Sequence, residues 1–207
     1  MTPVPWQVSV LIFDDADVLD IAGPYEVFAV AGRRDGLEPF RVSLVGVSPG
    51  SVALRGGFRV EPAFTLADAP PADILIIPGG VGTRRLMEDP ALLAWIRQAA
   101  ERAELVLSVC TGALLLGKAG LLDGLDVTTH QSALDLLREV APRARVHQGE
   151  RFLDNGRTIV AAGISAGIDM ALHAVGRLLG EDRAAEAAAY MEYHWDQNES
   201  GLQGEGV

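Results

Sequence analysis

Two textures alternate along the chain. Short apolar runs rich in β-branched residues are separated by longer stretches in which apolar residues recur at helical spacing. This alternation predicts a mostly parallel sheet with helices on both faces, because each parallel strand needs a crossover helix to bring the chain back. The strands expected are Val8–Phe13, Phe40–Val45, Asp73–Pro78, Leu105–Val109, Val127–Thr129, Arg145–Gln148, Arg151–Leu153 and Thr158–Ala161. Asn155-Gly156 reads as a hairpin turn between the last two, and the glycine pair inside Val52–Val60 marks another hairpin.

Helices are expected from Gly23-Pro24-Tyr25-Glu26 onward, and over Pro90–Ala103, Thr111–Ala119, Ser132–Val140, Ser165–Leu179 and Asp182–Tyr193. Proline suits a first helical position, and glutamate in the first turn meets the positive end of the helix. No repeat, linker or compositional break divides the 207 residues. One α/β domain is therefore expected over 1–207, with its core at about 7–195 and a glycine-rich, polar, mobile tail over 198–207.

Composition narrows the function classes. Hydrophobic residues at 49% and charged residues at 22% fit a folded chain that buries a core without disulfides or metals. With 28 acidic against 17 basic residues the formal charge is −11, which repels nucleic-acid phosphates and anionic lipid. Neither nucleic acid nor membrane is expected as a partner. The N-terminal MTPVPWQVSVLIF has no basic region, and no apolar run reaches the length of a bilayer, so neither signal peptide nor anchor is expected. The chain has one cysteine, which fits a reducing cytoplasm and makes that thiol the first place to look for chemistry.

That cysteine, Cys110, directly follows the strand Leu105–Val109. In Ser108-Val109-Cys110-Thr111-Gly112, small residues stand two before and two after the sulfur, the pattern of a strand-turn-helix nucleophile elbow. The helix that follows would aim its positive end at the sulfur and favour thiolate. A buried, inert packing cysteine is the alternative. Gly79-Gly80 ends another strand, where backbone N–H groups could meet a developing anion together with an amide of the cysteine turn; an ordinary turn is the alternative. Asp20 lies past the first strand. A carboxyl beside a thiolate has a raised pKa and can act as a general acid, whereas a solvated or capping acid would not. His130 follows a strand and could reach the same edge, although a satisfied hydrogen-bonding role fits it better. The histidines His130, His147, His173 and His194 lack paired ligand spacing, and Gly79-Gly80-Val81-Gly82 lacks dinucleotide and phosphate-loop spacings. No metal and no cofactor are expected.

Taken in order, these pieces resemble the DJ-1/PfpI superfamily, a flavodoxin-like branch related to class I glutamine amidotransferases. The matching segments are Asp20 before Gly23-Pro24-Tyr25-Glu26-Val27, then Ile77-Pro78-Gly79-Gly80 and Val109-Cys110-Thr111-Gly112. Thr128-Thr129-His130 and Ala162-Gly163-Ile164-Ser165-Ala166-Gly167-Ile168-Asp169 complete the set, which runs from about Val8 to Leu179. Within the superfamily the chain looks most like isonitrile hydratases and the amino-terminal domains of AraC-type regulators. The protease branch carries histidine after the cysteine; Thr111 stands there, which counts against a peptidase. The late His-x-Glu pair of an amidotransferase is absent, and Gln131 replaces an aromatic that many relatives carry, so the pocket is expected to differ.

The resemblance implies a flavodoxin-like three-layer sandwich and a homodimer, for which the helix carrying Pro24, Val27 and Phe28 is a candidate surface. It implies a small-molecule substrate, with Cys110 as nucleophile, Asp20 as proton donor and Thr111 as their partner. Gly79 and Gly80 would be backbone donors, and His130 and Ile164 secondary candidates. The reaction implied is hydration of an isonitrile to an N-substituted formamide. A glyoxalase or deglycase-like activity, a redox stress response, and a sensing domain without its DNA-binding half are the other readings.

Overall fold

The computed structural model describes residues 5–33 and 36–196, so the tail expected over 198–207 lies outside the described residues. β1 (Trp6–Ile12) lies inside a seven-stranded sheet whose other strands are β2 (Phe40–Gly46), β5 (Phe64–Thr65), β6 (Ile74–Ile77), β7 (Leu105–Val109), β10 (Phe152–Asp154) and β11 (Thr158–Ala161). Their order is β10-β11-β7-β6-β1-β2-β5, parallel throughout except for β10 against β11. β6 and β7 are buried along their whole length, which is why they read as unbroken apolar runs rather than alternating ones.

Helices cover both faces. α1 (Val18–Val30), α6 (Ala166–Leu179) and α7 (Glu181–Tyr190) pack together on one side. On the other, α2 (Thr83–Leu86), α3 (Pro90–Arg102) and α5 (Leu134–Val140) each contact α4 (Gly112–Lys118). The architecture is the flavodoxin-like three-layer α/β sandwich. The start of α3 is set locally: Pro90 opens it, and the Asp89 carboxylate accepts from the N–H groups of Ala91 and Leu92 at 2.9 and 3.1 Å.

Several expectations need correction. α1 begins at Val18, ahead of Gly23, and takes Pro24 into its interior. Proline removes the N–H that would reach the Asp20 carbonyl, yet Ile21, Val27 and Phe28 are buried on both sides of it and hold the helix to the sheet. Asp20 therefore rides on the first turn of a helix rather than in a loop. Pro24, Val27 and Phe28 face the core and are not a free surface. The segment expected as a strand at Arg145–Gln148 contributes only β9 (Arg145–Val146), which pairs with β8 (Asp126–Val127) apart from the main sheet. The Val52–Val60 hairpin forms as expected, from β3 (Val52–Ala53) and β4 (Arg59–Val60).

Candidate active site

The carboxyl ends of β1, β6 and β7 meet where the strand order reverses, the position at which open α/β sheets gather ligands. Cys110 follows β7 with φ at 56°, a left-handed conformation that a residue with a side chain holds only when its surroundings enforce it. They do so from three sides. Its N–H reaches the carbonyls of Ala161 and Ala162 at 3.1 and 2.7 Å, and its carbonyl accepts the Thr129 hydroxyl at 2.7 Å. A Cβ on Gly112 would overlap the Ile77 carbonyl oxygen, so the chain can turn this tightly only with glycine there.

Asp20 faces the thiol from α1. It is fully buried, and one carboxyl oxygen accepts the Gly79 N–H at 2.8 Å while the other has no conventional partner. A Cβ on Gly79 would stand 2.5 Å from the Thr111 nitrogen and 2.8 Å from both Asp20 Oδ2 and Cys110 Cβ, so glycine is what lets the three strand ends converge. Asp17, buried at the start of α1, brings a second carboxylate, and ligand atoms of Asp17, Asp20 and Cys110 lie within 4.8 Å of one another. Arg55 from the β3–β4 hairpin pairs with Asp17 Oδ1 at 3.1 Å. These three groups form a cluster that is close-set but not fitted to an ion, since Asp17 Oδ1 is held by Arg55 and Asp20 Oδ2 by the Gly79 N–H. Its donors are one soft sulfur and two hard carboxylates, one of them already engaged by Arg55.

Burial governs the electrostatics. It pushes the Asp20 carboxyl up to about 7, with the Gly79 N–H opposing and Asp17 adding to the rise. Burial also pushes the Cys110 thiol up to about 12, and the charge of Asp20 adds to this. The backbone N–H groups of Thr111 and Ile164 face the sulfur and act in the other direction. The expected thiolate-favouring effect of the following helix is thus outweighed by desolvation. The pair gives up one proton near neutrality and holds the second far above it.

Gly79 and Gly80 are placed at the site, but their N–H groups are occupied. Gly79 serves Asp20, and Gly80 donates to the Thr111 hydroxyl at 2.9 Å. The Gly80 carbonyl in turn accepts the hydroxyl of Thr83 at 2.7 Å and lies 3.0 Å from that of Thr111. The glycine pair is accordingly a scaffold, and the amides left facing the sulfur are those of Thr111 and Ile164. Ile164 itself has φ at 24°, the second enforced turn at this edge. The His130 ring lies against Gly163, with Nδ1 2.8 Å from the Ser132 hydroxyl, beside a cleft of about 320 Å³ lined also by Thr129, Gln131, Glu150 and Arg151. His147 and His173 are elsewhere, bonded to Asp126 and Asp154.

Sequence reasoning missed Thr83, Asp17 and Arg55. Thr83 carries no motif. Asp17 had a signal, an acid just before a helical run, which reads as an ordinary cap. Arg55 lies 38 residues from its partner, and no local pattern links them.

An isonitrile hydratase of Pseudomonas putida is 37% identical over 187 residues, covering 90% of this chain and 78% of the hydratase. The HTH-type transcriptional regulator GbdR of Pseudomonas aeruginosa is 28% identical over 195 residues, 94% of this chain but 53% of the regulator. The crystal structure of a THiJ/PfpI family protein from Pseudomonas syringae superposes with a TM-score of 0.83 at 30% identity, covering 94% of this chain and 78% of that one. The DJ-1/PfpI family pattern runs from residue 6 to residue 177, through every strand end that builds the site, and the chain belongs to that family.

Proposed function

We propose that the protein is a cysteine-dependent lyase that hydrates an isonitrile to an N-substituted formamide. The observation that carries this reading is the fully buried Asp20 carboxyl beside the Cys110 thiol, with one oxygen fixed by Gly79 and the other left for a proton in transit. The similarity to an isonitrile hydratase supports it. Between about pH 7 and about pH 12 the pair holds one proton, and the reacting form is the tautomer with that proton on Asp20 and the negative charge on sulfur.

The thiolate adds to the terminal isonitrile carbon, and Asp20 delivers its proton to that carbon, leaving a thioimidate. Water then adds to the same carbon. One of its protons goes to nitrogen and the other returns to Asp20, and the C–S bond breaks to release formamide and thiolate. The amides of Thr111 and Ile164 are the donors for negative charge on sulfur. Purified protein given an alkyl or aryl isonitrile is expected to form the formamide, and Cys110→Ala is not. Formamide no faster than in that variant would overturn the reading. The similarity to a transcriptional regulator supports a second one, a ligand-sensing domain, for which saturable isonitrile binding without turnover is the distinguishing result.

A further inference from the structure

Asp17 occupies the position just before α1, where an aspartate ordinarily turns back to accept an N–H of the first helical turn. Here it makes no such bond. Its side chain, 11% exposed, is turned instead toward the Asp20–Cys110 pair and takes a guanidinium nitrogen of Arg55 at 3.1 Å. The Arg55 side chain is 62% exposed, while its backbone is pinned by an N–H to the Ala16 carbonyl at 2.9 Å. A buried carboxylate thus forgoes its capping bond to sit beside two groups whose shared proton is the centre of the chemistry.

We propose that Asp17 and Arg55 form a positioning pair that sets where the Asp20–Cys110 couple releases its proton, with Asp17 acting by its negative charge and Arg55 by neutralising Asp17. This rests on the reading of Cys110 as the reacting thiol. The charge of Asp17 adds to the upward shift of both Asp20 and Cys110. Other titratable or charged groups flank the site from neighbouring elements. Asp14 accepts the Ala53 N–H at 2.8 Å, Asp15 is exposed, Arg84 lies 3.5 Å from the Thr83 hydroxyl, and His130 is bonded to Ser132. Asp17 is the one that raises both members of the couple. A carboxylate about 5 Å from a partly screened thiol moves its proton release by about one pH unit.

The chain has one cysteine, so its iodoacetamide alkylation, followed by intact mass against pH, reports Cys110 alone. The wild-type rate is expected to rise with pH as the couple loses its first proton, and the pH of that rise is the midpoint to be compared. Asp17→Asn should move that midpoint down by about one pH unit, and Arg55→Gln should move it up by about half a unit. Asp17→Glu, which restores the charge, should return it toward wild type. The double variant Asp17→Asn/Arg55→Gln should match Asp17→Asn, because Arg55 acts through Asp17. Midpoints that stay together while alkylation proceeds would overturn the proposal alone. A thiol inert at every pH in all of these proteins would overturn the reading of Cys110 as well.

Discussion

Asp20 is held against its own preference, and the cost has a definite sign. A carboxyl that ordinarily titrates at 3.8 titrates here at about 7, so between these values the folded chain binds the proton that the unfolded chain has released. Stability contributed by this group is complete below about pH 4, falls as pH rises, and is lost above about 7. The shift corresponds to at most about 4 kcal/mol. Asp20→Asn keeps an acceptor for the Gly79 N–H and removes the charge. It is expected to unfold at higher urea than wild type at pH 8, and to lose that advantage at pH 4. Equal midpoints at both pH values would show that burial does not penalise this carboxylate. At this scale the sequence was legible where a residue's role depends on its own strand: Cys110 and Asp20 each follow a run that ends at the same sheet edge. It was illegible where the role depends on a distant residue, as with Asp17 and Arg55, or on which of two donors is already taken, as with Gly79 and Gly80.

Between β6 and α2, and between β7 and α4, the chain makes two turns that are braced against each other. The brace is the Thr111 hydroxyl, which accepts the buried Gly80 N–H, with Thr83 beside it at 3.2 Å. Thr111→Val keeps the shape but strands that N–H without a partner, and should cost about 1–3 kcal/mol in urea unfolding. Thr111→Ser keeps the oxygen and should cost less than half as much. If serine proves as damaging as valine, the methyl group rather than the hydrogen bond holds the turns together. The strands that carry these turns were readable because burial on both faces writes them as apolar runs. The start of α1 was not, since Pro24 is a strong local signal for a helix beginning and was overruled by the packing of Ile21, Val27 and Phe28. β5 spans two residues, too short for any period to appear, while β8 and β9 are shorter than the strands expected at Val127–Thr129 and Arg145–Gln148.

Over the whole molecule, the described residues leave few large apolar side chains exposed, and three of them lie on segments that meet near the site. Leu19 is 41% exposed, Phe58 55% and Val81 52%. They lie on α1, on the β3–β4 hairpin and after Gly80, the three segments that meet at Ala16 and Asp17. Together they would make an apolar rim to the site, and such a rim is unusual on a chain that stays alone in water. A symmetric contact between two copies would cover it, and we expect a homodimer on that ground. The net charge of −11 works against such a contact, because two copies repel each other. Added salt screens the repulsion and leaves apolar burial intact, so the dimer should tighten as salt rises rather than weaken. Light scattering across a dilution series at low and high salt measures this directly. Two-chain mass should persist to lower concentration at high salt, and Leu19→Lys with Val81→Lys should give one-chain mass under both conditions. If wild type scatters as one chain throughout, the rim faces substrate rather than a second copy, and the same lysine substitutions should then raise KM for an apolar isonitrile while leaving the mass unchanged.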